Sequence, residues 1–162
     1  MSVTSDIIEY LEASNLIHKV YMHEHSASSQ ESADARKNAG AGNTTGAKAL
    51  LLKNKQGDFA ICVMPGTSKL NSKAVRKCFG KFKFASPEEM HEIARGLLPG
   101  TLPPFGYSIF PKLNFFMIDE SLEKEPALGF NAGCHRTSIV LSGSDYFNIA
   151  KLDNPITGDF SV

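Results

Sequence analysis

Ala47-Lys-Ala-Leu-Leu-Leu-Lys53, Asn54-Lys-Gln-Gly57 and Asp58-Phe-Ala-Ile-Cys-Val-Met64 read as strand, turn and strand. In the first segment Lys48, Leu50 and Leu52 share one face, and Ala47, Ala49 and Leu51 share the other. Both faces are apolar, so the strand is expected to be buried on two sides, with Lys48 at the rim of the core. A short polar link ending in Gly57 makes the pair the clearest hairpin in the chain.

Upstream of the hairpin, residues 4–15 read as a helix capped by Thr4 or Ser5, with an apolar stripe of Ile7, Ile8, Leu11 and Leu16. Lys19 to His25 reads as a strand, and residues 29–39 as a second helix, entered at Ser28-Ser29 and stopped at Gly40. The stretch from Gly40 to Gly46 is a loop. Downstream, residues 71–79 form a basic helix ended by Gly80. Ser86-Pro-Glu-Glu89 is a capping box with proline at the first helical position, and its helix runs to Gly96. The stretch from Gly96 to Gly106 is too rich in Gly and Pro for a helix or a central strand. Strands follow near 107–110, 114–119, 127–131 and 137–141, and Ser144-Asp145 caps a last helix to about Lys151. Helices and strands interleave without a βαβ rhythm. That favours an α+β fold with a mixed, mostly antiparallel sheet in one domain over residues 1–162.

The chain has 162 residues, 17 basic and 17 acidic, with 42% hydrophobic residues. This composition excludes a disordered chain, and the neutral balance argues against coating nucleic acid by bulk charge. The sum conceals an asymmetry. Between Asp58 and Glu88 there is no acidic residue, while Lys69, Lys73, Arg76, Lys77, Lys81 and Lys83 give that stretch +6 and leave −6 for the remainder. The N-terminus lacks the basic region of a secretory or transit signal, and the longest clean apolar run, Ala60-Ile-Cys-Val-Met64, is far short of a membrane span. A soluble cytoplasmic protein is expected. Cys62, Cys78 and Cys134 are odd in number and widely spaced, so they read as structural thiols. A nucleophilic Cys134 beside His135 is the minor reading, since neighbours on a strand face opposite ways.

Several motifs fail on inspection. The loop before Lys48 lacks the Gly-Lys-[Ser/Thr] of a phosphate-binding loop. His23-Glu24-His25 puts two imidazoles on one strand face without a third ligand, so no metal site is expected. Gly66-Thr-Ser-Lys-Leu70 lacks the second glycine of a nucleophile elbow, and Ser121-Leu-Glu-Lys124 lacks the companions of an SxxK site. Three features survive. Lys48 is either a lysine snorkelling from a strand end or a phosphate or ribose contact held by a fixed strand. The 96–106 loop is either a rigid connector or a rigid frame whose backbone N–H groups bind a carbonyl or oxyanion. Lys69, Lys73, Arg76 and Lys77, at 3–4 spacing, are expected to share one helix face, solvated or set against phosphates.

Taken in order, Gly46-Ala-Lys48-Ala-Leu-Leu-Leu-Lys53, Met64-Pro-Gly-Thr-Ser-Lys-Leu70, Ala85-Ser-Pro-Glu-Glu89, Gly100-Thr-Leu-Pro-Pro104-Phe-Gly106, Ile118-Asp119-Glu-Ser-Leu122 and Asn131-Ala-Gly133 resemble the YbaK family of aminoacyl-tRNA deacylases. That family includes the editing domain inserted in bacterial prolyl-tRNA synthetases and its free-standing relatives, and the resemblance spans roughly residues 15–152. It implies a barrel-like core flanked by helices and hydrolysis, in trans, of the ester of a mischarged tRNA. The family's lysine at the tRNA acceptor end falls on Lys48, and its GxxxP loop beside the scissile ester falls on Gly100 and Pro104. The amino-acid pocket falls on Asn131 and Gly133, with Thr101, Leu102 and Gly106 as further substrate contacts. Asn131 stands where some relatives have His or Ser, and Pro103 where many have a small hydroxyl residue. The basic residues Lys69, Lys73, Arg76 and Lys77 then read as tRNA contacts. No cofactor is implied, and the partners are the aminoacyl-tRNA acceptor end and a tRNA synthetase. The resemblance leaves the edited amino acid open among Ala, Cys, Ser and Thr, and it leaves open a non-catalytic tRNA- or synthetase-binding module of the same fold.

Overall fold

The computed structural model describes residues 2–26 and 28–162. The elements in chain order are α1 (Val3–Ala13), β1 (Lys19–Met22), α2 (Ser29–Arg36), β2 (Thr45–Asn54), β3 (Phe59–Pro65), α3 (Ser72–Phe79), β4 (Phe82–Phe84), α4 (Pro87–Ile93), β5 (Phe115–Asp119), β6 (Leu128–Asn131), β7 (Thr137–Leu141), α5 (Gly143–Ala150) and β8 (Ile156–Gly158). The sheet order is β1-β7-β6-β2-β3-β5-β8, with β4 added to β2. The β1–β7, β6–β7, β2–β3 and β2–β4 ladders are antiparallel, while β2–β6, β3–β5 and β5–β8 are parallel. The expected α+β class with a mixed, mostly antiparallel sheet is therefore what the chain adopts.

The two-sided burial read from the hairpin holds. Leu51, Ile61, Val63, Phe116 and Ile118 face a core shared with α1, α4 and α5. The alternate residues Leu52, Ala60, Cys62 and Met117 face a second cluster closed by Val75 and Phe79 of α3 and by Phe160. Burial pushes the Cys62 thiol up to about 12, consistent with an inert structural thiol. The capping box is present: the Ser86 side chain accepts from Glu89 N–H, and Glu89 reaches back to Ser86 N–H.

Several local readings need correction. The cap of α1 is Ser2, not Thr4 or Ser5, and Val3, Ile7 and Leu11 are its buried stripe; Leu16 lies beyond the helix. Strand β1 stops at Met22; the His23 N–H still donates to the Arg136 carbonyl at 2.9 Å, and His25 lies beyond the strand. Helix α2 ends at Arg36, and a wider turn over residues 37–41 closes on Gly40 at φ +100°. Segment 107–110 is a turn, because the N–H groups of Ile109 and Phe110 fold back onto the Gly106 carbonyl. Ser142, not Ser144, caps α5. Lys69 precedes α3, where the Lys69 and Val162 backbones pair, so only Lys73, Arg76 and Lys77 share the helix. Strands β4 and β8, three residues each, were not anticipated.

Candidate functional site

The strand β2 crosses from one half of the sheet to the other. At its start it pairs with β6 over two residues, with Gly46 opposite Gly129. Two glycines at this junction leave a bare floor, and the side chain of Arg36 lies across it. A Cβ on Gly129 would stand 2.8 Å from Arg36 Cδ, and one on Gly46 would stand 3.6 Å from its Nη1. The N-terminal turn of α2, the start of β2, the β3–α3 loop, the 98–104 loop and the end of β6 together enclose a pocket of about 270 Å³.

Lys48 lines this pocket, half-buried, and its Nζ donates to the Ser68 carbonyl at 2.8 Å. That bond fixes the lysine against the loop beginning at Gly66, whose N–H donates to the Gly46 carbonyl at 2.8 Å. Burial lowers the Lys48 ammonium from its ordinary value. Arg36 is 3% exposed and makes no ion pair among the described residues. Its Nε donates to Ser138 Oγ at 3.0 Å and its Nη2 to Asn131 Oδ1 at 3.4 Å. Desolvation brings the guanidinium down to about 10, so it still carries its charge at neutral pH. Among the described residues, no acidic residue lines the pocket. A buried cation without a carboxylate is costly to fold around. Here its field falls on whatever enters the pocket.

Asn131 ties the site together. Its Nδ2 donates to the Gly100 carbonyl at 2.9 Å and lies 3.3 Å from Ser32 Oγ. Ser32 Oγ in turn donates to Ser26 Oγ at 3.0 Å. Of the residues singled out in the sequence, Lys48, Gly100, Leu102 and Asn131 come together around this pocket. Thr101, Pro104, Gly106 and Gly133 do not line it. The Thr101 hydroxyl turns back to the Leu98 carbonyl at 2.6 Å, and the Gly133 N–H donates to the Thr101 carbonyl. The Pro104 carbonyl accepts from the buried Tyr146 hydroxyl at 2.7 Å. Gly106 is needed for packing, since a Cβ there would enter the Phe116 ring at 2.5 Å. The loop is therefore rigid because it is buried from Thr101 to Gly106, with Phe105 edge-on to Tyr10, Phe130 and Tyr146. The expected exposed N–H groups are partly used internally: Thr101 N–H bonds Leu98 and Phe105 N–H bonds Pro103.

Sequence reasoning missed Arg36 and the serines Ser28, Ser29 and Ser32, all of which line the pocket. A signal was present. Helix α2 carries no large apolar residue, yet it is docked, and its buried residues are Ser32, Ala35 and Arg36. A polar helix packed by small residues brings backbone close to its neighbour and places a charge inside. Cys134 and His135 do not form a pair. Cys134 Sγ accepts from Arg136 N–H, while His135 stacks on His25 and bonds the Pro99 carbonyl. A Ser–His pair does lie behind the pocket, with His23 Nε2 at 2.8 Å from Ser138 Oγ. Ser138 is fully buried beneath Arg36 and does not line the pocket, so it is not placed to attack a ligand.

Residues 23–149 match the model of the aminoacyl-tRNA editing domain. The chain is 30% identical over 111 residues to the multifunctional Ser/Thr-tRNA deacylase ProXp-y of Escherichia coli strain K12, and equally to its counterpart in Escherichia coli O157:H7. Each match covers 65% of both chains, so this chain spans about two thirds of the length of those curated relatives. Two solved structures share the fold. One is a hypothetical protein, with a TM-score of 0.79 at 19% identity, covering 97% of this chain and 99% of that one. The other is a candidate trans-editing enzyme for prolyl tRNA synthetase, with a TM-score of 0.77 at 18% identity, covering 100% and 98%. The family match extends over most of the chain and takes in β2 with Lys48, the 98–104 loop and Asn131, so the chain belongs to the aminoacyl-tRNA editing domain family.

Proposed function

We propose that this protein is an aminoacyl-tRNA deacylase that hydrolyses, in trans, the ester joining a small wrong amino acid to a tRNA. The observation that carries the reading is the charge of the pocket: Arg36 and Lys48 line it, no carboxylate does, and serine hydroxyls and Asn131 supply the remaining polarity. Ester hydrolysis builds negative charge on the carbonyl oxygen, and fixed cations and dipoles in a small, partly dry site stabilise that charge. A water, oriented by the neighbouring ribose hydroxyl, attacks the carbonyl carbon and gives up a proton, and the amino acid leaves as the free acid. The bond to the ribose oxygen breaks and that oxygen takes up a proton. An activated ester needs positioning more than a strong nucleophile, which agrees with a pocket that holds no serine–histidine or cysteine–histidine pair.

In this reading Lys48 holds the terminal nucleotide at the mouth, and the segment from Gly100 to Leu102 walls the ester. Asn131 and Ser32 meet the amino-acid side chain. Thr101, Pro104, Gly106 and Gly133 support that wall from behind. A pocket of about 270 Å³ has room for a small side chain together with its ester. A hydroxyl side chain finds partners among Ser28, Ser29, Ser32 and Asn131, so Ser and Thr fit better than Ala or Cys; the Escherichia coli relative bears a Ser/Thr name. Lys69, Lys73, Arg76 and Lys77, all exposed, are proposed contacts for the tRNA, and a synthetase is the proposed source of the mischarged substrate.

A panel of tRNAs charged with Ala, Cys, Ser or Thr, incubated with wild type and with Lys48→Ala, tests this. Hydrolysis of the Ser or Thr ester is expected, with a loss of about 100-fold or more in the variant. Tight tRNA binding with no hydrolysis of any ester would instead indicate a non-catalytic module.

A further inference from the structure

Beyond the pocket, a groove of about 660 Å³ runs along the ribbon formed by β2 and β4. Five cations line it: Lys53, Lys55, Arg76, Lys81 and Lys83, with Phe82 among them. Lys53 stands directly opposite Lys83 in the β2–β4 ladder, and the next backbone bond along the ribbon joins Lys55 N–H to the Lys81 carbonyl. Like charges facing each other across a ladder destabilise it. Glu89 answers only Lys53, at 2.6 Å, and the other four cations make no ion pair among the described residues. Among the described residues, no acidic residue lines the groove. An arrangement that costs stability in the free protein is relieved by a polyanion.

A cleft leads from the pocket toward the edge strand β4, the other side of which lines the groove. This shallow cleft of about 200 Å³ shares Ala49, Leu50, Gly100 and Leu102 with the pocket and ends at Phe84. Phe84 is 60% exposed and follows Lys83 on the edge strand β4, so the two side chains leave opposite faces and the path turns around that edge. Strand β2 sets the spacing: five residues from Lys48 to Lys53 span about 17 Å, a distance of a few nucleotides. The path therefore offers a charged end at Lys48, an apolar cleft, an open aromatic face and then a bank of lysines. Single-stranded nucleic acid is held by this combination of stacking faces and phosphate contacts.

The geometry points to this path as the track of the acceptor arm: the unpaired 3′ nucleotides leave the pocket along Ala49 and Leu50, a base stacks on Phe84, and the following phosphates lie on Lys81, Lys83, Lys55 and Arg76. The assignment rests on the deacylase reading for the occupant of the pocket, and it gives the RNA a direction, toward β4. Lys81, Lys83 and Phe84 thereby become RNA contacts alongside the basic helix.

The test uses uncharged acceptor-stem minihelices, with and without the unpaired 3′ nucleotides, and follows binding by fluorescence anisotropy across a salt series. The variants are Phe84→Ala, the double variant Lys81→Glu with Lys83→Glu, and Lys112→Glu as an exposed lysine off the track. Phe84→Ala is expected to weaken binding about tenfold for the intact minihelix and not for the truncated one. The double variant is expected to weaken both and to flatten the salt dependence by about two phosphate contacts, with Lys112→Glu unchanged. Equal affinities for wild type and the groove variants would overturn the track. So would a Phe84→Ala loss that ignores the unpaired nucleotides, or loss of binding to a synthetase with RNA affinity retained. Because the RNA is uncharged, failure of the deacylase reading shows separately, as absence of hydrolysis by wild type on the mischarged panel.

Discussion

The Asn131 side-chain amide donates to the Gly100 carbonyl at 2.9 Å, joining the end of β6 to a loop 31 residues earlier in the chain. On the other side of the same amide, Oδ1 faces the Arg36 guanidinium at 3.4 Å and Ser138 Oγ at 3.3 Å. The residue at the pocket floor is thus both a strut for the loop wall and the near partner of the buried cation.

Asn131→Asp exchanges the donor toward Gly100 for a second acceptor and sets a carboxylate beside Arg36. The loop carbonyl is then repelled and the guanidinium neutralised. Single-turnover hydrolysis is expected to fall about 100-fold, while the melting temperature holds or rises because the buried cation gains a counter-charge. Asn131→Ala leaves the Gly100 carbonyl without its donor, which costs about 1–3 kcal/mol, read as a lower melting temperature together with a slower rate. A normal rate in both variants would remove Asn131 from the site.

Gly129→Ala tests Arg36 without touching it. The new methyl would stand 2.8 Å from Arg36 Cδ and 3.1 Å from Nε, so the arginine must leave its floor. Hydrolysis is expected to drop to the level of Arg36→Gln, with tRNA binding through the exposed lysines retained. Gly106→Ala is the contrasting case. Its methyl meets the Phe116 ring deep in the core, and the cost of about 1–3 kcal/mol is expected in thermal unfolding and not in KM.

Glu89 gives the acid limb of stability. Its carboxyl is held down to about 2, first by the hydrogen bond from Lys53 and then by the Ser86 N–H. A carboxylate depressed from about 4.5 to about 2 stabilises the fold fully above the higher value and loses that contribution as pH falls through the lower one. Glu89→Gln is expected to flatten the fall of melting temperature across this window. Because the pair is partly exposed, the change should shrink with added salt.

Much of the frame was legible in the chain, because it is encoded over short range. The two-residue alternation from Ala47 to Leu52 specified a strand buried on both faces, since adjacent side chains on a pleated strand must point apart. Ser86, Pro87 and Glu89 specified the start of α4, because a cap is satisfied within one helical turn. The glycines and prolines between Gly96 and Gly106 specified a loop, and the ordered motifs around Lys48, Gly100 and Asn131 indicated a common site. The short strands β4 and β8 were hidden, because three residues carry no period and their pairing is decided by β2 and β5.

The charge of the site was decided only by the tertiary structure. By itself the sequence determined that Lys48 begins on a strand at the edge of a core. It did not show that Arg36, at the end of a polar helix, crosses a floor made by Gly46 and Gly129, or that Ser32 and Asn131 meet behind it. Those contacts join residues about 100 positions apart. Whether an arginine is solvated or buried without a counter-ion depends on what other segments pack over it, and no local pattern records that. The same holds for the basic stretch: the sequence supplied its surplus of cations, and pairing of β4 onto β2 set Lys81, Lys83 and Arg76 beside Lys53 and Lys55 around one groove.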